Sequence, residues 1–368
     1  MVIDYFIKIN QFNKILKKIL IVLLIFYFKS LFSQNDSLKK LTISGYGELY
    51  YSYDFSNPQN HEKSNFLYNH KRHNEINFNL IVIKSNYSEN NFRANLDLML
   101  GNYAQYNLSA ETNWAQFIYN ANIGIKLSKK NNLWLDAGVL PSHIGAESAI
   151  SDDCWSLTRS LSAENSPYYE TGIKLNYTSK NEKLNLAFLV LNGWQRIKKP
   201  DHIQNPSFGL QLNYKSSEKL TFNYSNFLGT DKPDSINAFR VFHNFFIQYE
   251  PTKKIGLIAN FDIGNDKYDL KNYSNWYTPG LIIKYNLNDN IKIACRGEYY
   301  YDKHQIIITT NTLNGFQAFG VSSNLDFSIN KKVKFRVEAK MYQSKDKIFQ
   351  ENTQNKNYSI TTNLTFKI

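Results

Sequence analysis

Residues 92–100 read Phe-Arg-Ala-Asn-Leu-Asp-Leu-Met-Leu, a stretch in which every second side chain is apolar. Residues 76–82 (Ile-Asn-Phe-Asn-Leu-Ile-Val) and residues 117–127 repeat this alternation. An amphipathic helix would instead place its apolar residues three or four positions apart. Because the runs are about ten residues long, the length with which a tilted strand crosses a bilayer, they predict membrane-spanning β-strands.

Similar runs follow one another to the C-terminus and give about sixteen candidate strands. They lie near 42–53, 72–87, 92–101, 114–127, 133–140, 168–178, 184–192, 207–215, 220–229, 240–249, 255–264, 278–286, 291–301, 316–329, 333–342 and 357–368. Short polar links such as 88–91, 179–183, 216–219, 251–254 and 288–290 alternate with long ones at 54–71, 102–113, 141–167, 193–206, 230–239, 265–277, 302–315 and 343–356. Short periplasmic turns and long extracellular loops are typical of outer-membrane barrels. The sequence therefore predicts an all-β fold, a transmembrane antiparallel up-and-down β-barrel.

The tyrosines are arranged as such a barrel requires. Four of them precede short links in the phase of the apolar face and predict an interfacial aromatic girdle: Tyr177, Tyr214, Tyr249 and Tyr285. Candidates for a second girdle at the long-loop end are Tyr50, Tyr51, Tyr53, Tyr299, Tyr300 and Tyr301. The alternative is that these residues are ordinary strand formers of an all-β core. The alternation continues to Ile368, which predicts that the last strand closes the sheet against the first, since an open edge in lipid leaves backbone groups unpaired.

The first 33 residues differ from the rest and predict a cleaved signal peptide. Lys8, Lys14, Lys17 and Lys18 precede an apolar run at 19–28, followed by small and polar residues. A retained anchor helix is the alternative, but the run is short for a bilayer span and Lys29 interrupts it. Residues 34–368 are expected to form a single barrel domain in the outer membrane of a Gram-negative-type cell.

One stretch carries a family resemblance. It includes residues 138–149 (Gly-Val-Leu-Pro-Ser-His-Ile-Gly-Ala-Glu-Ser-Ala), 152–160 (Asp-Asp-Cys-Trp-Ser-Leu-Thr-Arg-Ser) and 163–172 (Ala-Glu-Asn-Ser-Pro-Tyr-Tyr-Glu-Thr-Gly). Together with residues 43–48 (Ile-Ser-Gly-Tyr-Gly-Glu) and 191–194 (Leu-Asn-Gly-Trp), this stretch resembles the OmpL-like β-barrel porins of outer membranes. The resemblance is specific in residues 138–172 and diffuse elsewhere. It implies one family over roughly the whole mature chain, and an architecture more than a transported solute.

The longest link, residues 141–167, holds candidate pore residues of both charges. They are His143, Glu147, Asp152, Asp153, Arg159 and Glu164. If the link folds into the barrel, these groups would form a constriction that selects solutes by size and charge. An extracellular loop that packs on its neighbours is the alternative.

The phase expected to face the lumen carries as many acidic as basic side chains. A basic cluster lies on the thirteenth and fifteenth strands: Lys292, Arg296, Lys334, Arg336 and Lys340. Strong anion selectivity would need an excess of Lys and Arg along the whole pore. The sequence instead predicts a mixed, hydrated wall in which most charges pair with one another.

Three functions remain open at this stage. About sixteen strands leave an aqueous channel, which favours a porin-like channel for passive diffusion of small hydrophilic solutes. A lumen filled by the loops would instead favour a non-conducting surface barrel whose long loops bind or adhere to something outside the cell. An outer-membrane hydrolase needs a Ser–His–acid cluster, but Ser142 and His143 are neighbours on an extended chain and point apart. We expect no enzymatic activity.

The expected partners follow from these inferences. We expect outer-membrane lipid, the barrel-assembly machinery acting on the C-terminal strand, and small hydrophilic solutes. The formal net charge is +12, but no run of Lys or Arg exceeds two residues, so a nucleic acid is not expected. His61, His70 and His73 are irregularly spaced for a metal site, and no metal or cofactor is expected. The sequence leaves a homotrimer open.

Overall fold

The computed structural model describes residues 40–350 and 352–368, so the predicted signal peptide lies outside the described residues. Sixteen antiparallel strands form one closed barrel, which confirms the predicted fold class. The strands are β1 (Leu41–Asp54), β2 (Ile76–Ser88), β3 (Phe92–Leu100), β4 (Ile118–Lys126), β5 (Asn132–Pro141), β6 (Tyr169–Thr178), β7 (Leu184–Leu191), β8 (Ser207–Ser217), β9 (Leu220–Gly229), β10 (Arg240–Tyr249), β11 (Ile255–Lys267), β12 (Tyr273–Asn286), β13 (Ile291–Asp302), β14 (Phe316–Ser328), β15 (Val333–Ser344) and β16 (Lys356–Lys367).

The helices in residues 40–350 and 352–368 are few and short. The α-helices are α1 (Asn102–Asn107) and α2 (Leu161–Glu164), and three 3₁₀ turns lie at Ala115–Phe117, Ser151–Asp153 and Asp234–Ile236. None of the helices in the described part of the chain is long and apolar enough to span a bilayer.

The alternation sorts side chains between the two faces of the wall. On β8, Phe208, Leu210, Leu212 and Tyr214 are exposed on the outer face, and Gln211 on the other phase contacts groups inside the barrel. The girdle candidates Tyr214, Tyr249 and Tyr285 are exposed, and Tyr177 is half-buried. An apolar band outside and polar residues inside is the pattern of a transmembrane barrel.

The barrel closes between the first and last strands, as the C-terminal alternation predicted. Gly45 and Ile368 exchange two backbone hydrogen bonds, at 3.0 and 2.9 Å. The ring of Phe366 lies over Gly47, where a Cβ atom would come within 2.1 Å of it. Only glycine therefore lets this ring cover the seam.

Links of two kinds define the two ends of the barrel. Seven links of two to five residues form the turn end: 89–91, 127–131, 179–183, 218–219, 250–254, 287–290 and 329–332. Eight links form the loop end: 55–75, 101–117, 142–168, 192–206, 230–239, 268–272, 303–315 and 345–355. The long link predicted at 265–277 is wrong, because β11 and β12 pair as far as Lys267 and Tyr273. The predicted starts of β2 and β4 are also four residues early.

The hydrophobic core lies inside the barrel, in its loop-end part. Inward-facing aromatic residues there are at most 2% exposed: Phe227, Phe242, Trp276, Tyr300, Phe316 and Tyr342. Of the tyrosines predicted for a second girdle, Tyr50 and Tyr300 also face inward and are buried. Those two predictions are wrong because successive residues of a strand point to opposite faces, so neighbours such as Tyr50 and Tyr51, or Tyr299 and Tyr300, cannot both lie on the outer surface.

Candidate functional site

The link between β5 and β6, residues 142–168, crosses the lumen, and we call it the inner loop. On the opposite wall, Arg336 donates to the carbonyl oxygen of Ser151 at 2.6 Å. Glu338 accepts from the backbone nitrogen of Thr158 at 2.6 Å. Because Arg336 and Glu338 lie on the inward face of β15, these contacts place the inner loop inside the barrel.

The first loop, residues 55–75, lies over the inner loop on its loop-end side. The carboxylate of Glu164 accepts from the backbone nitrogens of Tyr68 and Asn69, at 2.8 and 3.1 Å. Phe66 packs edge-on against Phe316 of β14, with 4.7 Å between ring centroids. The first loop and the inner loop together form a unit that we call the plug.

A buried histidine attaches the first loop to the wall. The Nε2 atom of His70 lies 2.7 Å from the Glu48 carboxylate, and both side chains are fully buried. The Nδ1 atom of His70 has no hydrogen-bond partner. The neutral ring with its proton on Nε2 satisfies this geometry, because a second proton would be an unpaired buried donor. Burial lowers the pKa of His70 and outweighs the charge and hydrogen bond of Glu48, which raise it, while the positive charges of Lys63 and Arg159 lower it further.

Inward residues of every strand are buried at the height of the plug, which shares this packing with the links 101–117, 192–206, 303–315 and 345–355. One inward residue from each strand, at most 8% exposed, illustrates this: Glu48, Leu80, Met99, Asn122, Leu140, Glu170, Leu189, Ser207, Phe227, Phe242, Asp262, Trp276, Tyr300, Phe316, Glu338 and Thr361. Two apolar clusters line this level, one around Leu161 and Trp276 and one around Leu80 and Tyr103. The plug and these links together therefore fill the lumen in the middle and loop-end parts of the barrel.

Four of the six predicted pore residues take part in this packing. Arg159 is fully buried and donates to three carbonyls of its own loop, those of Ser148, Leu157 and Ala149, at 2.5, 2.7 and 3.0 Å. Glu147 accepts hydrogen bonds from Ser160 of the same loop. These groups shape the inner loop instead of lining an open passage.

His143 holds the base of the inner loop against the wall. Its two ring nitrogens lie 2.8 Å from the Glu170 carboxylate and 2.8 Å from the carbonyl oxygen of Asn226. The two contacts tie the base of the inner loop to β6 and to β9. Ser142 uses its hydroxyl oxygen to accept from the Ile144 nitrogen at 3.1 Å and is not paired with His143. This geometry is a structural contact and lacks the nucleophile–base contact of a hydrolase.

Asp152 and Asp153 lie on the turn-end side of the inner loop. Lys367 of β16 lies 2.6 Å from Asp152 and 3.1 Å from Asp153, and Lys334 of β15 also contacts Asp152. Burial raises the pKa of Asp152, but its ion pairs with Lys334 and Lys367 outweigh this effect, so the pKa is lowered. Asp152 is therefore charged at the turn-end side of the plug, next to Lys334 and Lys367.

The predicted basic cluster is divided between two environments. Arg296, Arg336 and Lys340 are buried under the inner loop, where Arg296 contacts Glu338 at 3.0 Å. Lys334 and Lys292 are half-buried and lie at the turn end. Among residues 40–350 and 352–368, no carboxylate oxygen lies within 4 Å of the Lys292 ammonium.

Below the plug the lumen widens into a polar cavity of about 570 Å³ between β2 and β7. Its lining includes Asn86, Ser88, Arg93, Asn95, Asn120, Asn122, Asp136, Ser142, Lys174, Asn176 and Asn185. We call it the amide pocket. The sequence interpretation missed it, although asparagines recur in the inward phase of β2 to β7 and could have indicated it. In the described part of the chain, no cluster of His, Cys, Asp or Glu is able to hold a metal ion.

Comparisons with known proteins agree with this architecture. Residues 40–368 match the family described as "Putative beta-barrel porin-2, OmpL-like". No curated protein sequence matches the chain.

Solved porins share the fold at low sequence identity. An anion-selective porin from Comamonas acidovorans superposes with a TM-score of 0.59 at 9% identity, over 89% of this chain and 99% of that one. The outer-membrane channel DcaP of Acinetobacter baumannii gives 0.59 at 8% identity, over 89% and 97%. OmpF of Salmonella typhi gives 0.60 at 10% identity, over 89% and 97%.

Proposed function

The chain belongs to the OmpL-like β-barrel porin-2 family of outer-membrane porins, and on this premise we propose that small hydrophilic solutes diffuse through it when the plug withdraws. The barrel lies in the outer membrane, with its turn end in the periplasm and its loop end outside. Asp152, Asp153, Lys292 and Lys334 are the charges that a solute meets beside the plug, and we assign the constriction to them.

The observation that supports a movable plug is the nature of its attachment. The inner loop is held on β13–β15 mainly by hydrogen bonds from charged side chains, such as Glu338 with Thr158 and Lys340 with the Arg159 carbonyl oxygen at 2.9 Å. Water can replace each of these bonds, and each contributes only about 1.5–3 kcal/mol. Withdrawal is therefore less costly than opening the strand ladders.

A second candidate function is supported by the filled lumen. A barrel whose plug stays in place is a non-conducting surface protein that acts through its long loops. We propose no enzymatic activity in either case, because His143 is engaged by Glu170 and Asn226 and is unavailable as a base.

Conductance in planar bilayers tests the channel. The variant Glu338→Gln removes the charge that holds both Thr158 and Arg296, and we expect the open probability to rise by about tenfold, as a loss near 1.4 kcal/mol predicts. The matched control is Glu89→Gln, an exposed acid of the turn 89–91 that pairs with Lys40 and does not contact the inner loop. Folded protein that never conducts, with Glu338→Gln equally silent, would leave the surface barrel as the function.

Export and assembly complete the proposal. We propose that residues 1–33 are a cleaved signal peptide, that the barrel-assembly machinery acts on the C-terminal strand, and that the barrels can associate as a homotrimer. A mature N-terminus at residue 34, determined by mass spectrometry of the protein from outer membranes, would support the first point, and an uncleaved Met1 would overturn it.

A further inference from the structure

The amide pocket has the size and position of a solute site. Its volume of about 570 Å³ lies in the range of about 300–1,000 Å³ that is typical of small-molecule sites. Ser142, at the start of the inner loop, forms part of its roof, and Ser88 and Asn185 lie near the turn end. A solute that crosses the barrel therefore passes this wall directly below the plug.

The pocket wall carries a chain of side-chain amides. Asn86 donates to Asn95 at 2.7 Å, Asn95 donates to Asn122 at 2.8 Å, and Asn122 donates to Asn120 at 2.5 Å. A carboxamide has two N–H donors and an oxygen with two lone pairs. This row of hydrogen bonds uses one N–H and one oxygen lone pair of Asn95, so one N–H donor and one lone pair of Asn95 remain for a ligand. A row of such groups matches hydroxyls, which both donate and accept.

One positive charge in the pocket is not neutralised. Arg93 forms a two-bond pair with Asp136, at 2.7 and 2.5 Å. Lys174 lies opposite Asp136 in the strand register, but Glu170, the other nearby acid, is engaged with His143. Within residues 40–350 and 352–368, Lys174 has no carboxylate oxygen within 4 Å. The half-buried ammonium of Lys174 therefore faces the pocket without a counter-ion.

We propose that the amide pocket binds a sugar acid of one or two rings, with its hydroxyls on the asparagine chain and its carboxylate on Lys174. This inference rests on the proposed function, because it assigns a substrate class to the same lumen. A charge-assisted bond to Lys174 fixes the acid group, and the amides select against small anions that have no hydroxyls.

Binding to the purified, folded protein in detergent micelles tests the proposal without any conductance. Titration calorimetry would compare glucuronate, glucose and acetate. We expect glucuronate to bind about tenfold more tightly than either of the others, because only glucuronate uses both the ammonium and the amides. Acetate binding as tightly as glucuronate, or no glucuronate binding at all, would overturn the proposal.

Two substitutions separate the two recognition elements. Lys174→Gln should bring glucuronate down to the affinity of glucose and leave glucose unchanged. Asn95→Ala should weaken both sugars by a similar factor. The matched controls, Lys215→Gln and Asn213→Ala, lie on β8 outside the pocket and should change neither affinity. If Lys174→Gln left the preference for glucuronate intact, Lys174 would not be the carboxylate site. Sugar binding in a barrel that never conducts would disprove the channel and leave the binding site standing.

Discussion

The lumen of this barrel has two parts that differ although the same strands line both. In the loop-end part, inward side chains such as Trp276 and Tyr300 are apolar and buried against the plug. In the turn-end part, the same strands carry Lys284 and Lys292, which are half-buried. Whether an inward side chain is polar or apolar therefore depends on what fills the lumen at its height, and not on its inward direction alone. The loop-end part is built like the interior of a globular domain, and the turn-end part is built like a solvated surface.

This difference predicts where stability resides. Trp276 stacks on Phe242 with 6.1 Å between ring centroids and lies against Gly264, where a Cβ atom would come within 2.1 Å of the indole. Trp276→Ala opens a cavity that its packed neighbours cannot fill, and we expect a loss of about 3–5 kcal/mol. Urea unfolding in lipid vesicles, followed by the gel shift of the folded barrel, would measure the loss.

Trp134 provides the matched comparison in the turn-end part. Its ring is covered on one side by the Arg93 guanidinium, 4.4 Å from the ring centroid, and borders polar groups. Trp134→Ala should therefore cost about half as much as Trp276→Ala, because water replaces part of the lost contact. Equal losses would show that the two parts are packed alike.

The outer face was predictable from the sequence because lipid imposes one rule on it along the whole strand. Phe208, Leu210 and Leu212 had to be apolar wherever they lay in the bilayer, and the alternation gave sixteen strands correctly. The extension of β12 to Tyr273 was missed because inward Trp276 is apolar and outward Asn275 is polar there. At that height the strand has left the apolar band and its inner side faces a packed core, so the expected pattern is inverted.

The candidate site was less predictable, because its contacts are made by atoms that carry no sequence signal. Arg159 was predicted as a pore charge, but it binds three backbone carbonyls of its own loop. Any residue supplies such carbonyls, and only the path of the inner loop brings them together. The amide pocket was missed for a related reason, since its asparagines are spread over five strands and converge only when the barrel closes.

The difference between the two parts of the lumen can also be tested at the first loop, where His70 is buried in the loop-end part. Burial lowers the pKa of His70 in the seated loop below its usual value near 6.5. Between the lowered pKa and about pH 6.5, the unfolded or released loop therefore binds a proton that the seated loop does not. Stability of the seated plug is therefore present above about pH 6.5 and is lost as the pH falls. A proton on Nδ1 would face Lys63 and Arg159, with Glu48 already bonded to Nε2.

We expect open probability in planar bilayers to rise between pH 7.5 and pH 5. His70→Asn should remove most of that pH dependence, because asparagine has no proton to gain in this range. His202→Asn, in the exposed part of the link 192–206, is the control and should retain it. A variant His70→Asn that kept the full pH response would assign the response to another group.

We expect the smallest effect on stability from a substitution of Lys292, which lies in the hydrated turn-end part of the lumen and tests that part alone. Lys292, Lys334 and Lys367 outnumber Asp152 and Asp153 beside the plug, so we expect a moderate preference for anions there. Lys292→Gln should move the reversal potential in a salt gradient toward cations and change stability by no more than about 0.5 kcal/mol, because no ion pair is lost.

Lys340 is the matched lysine of the closed part, where its ammonium donates to the Arg159 carbonyl oxygen at 2.9 Å and to the Tyr342 hydroxyl at 3.0 Å. Lys340→Gln should do the opposite, lowering stability by about 1–3 kcal/mol and leaving the reversal potential unchanged. Lysines that behaved alike in both measurements would mean that ions reach the wall at the height of the plug, and the division of the lumen into a packed and a hydrated part would fail.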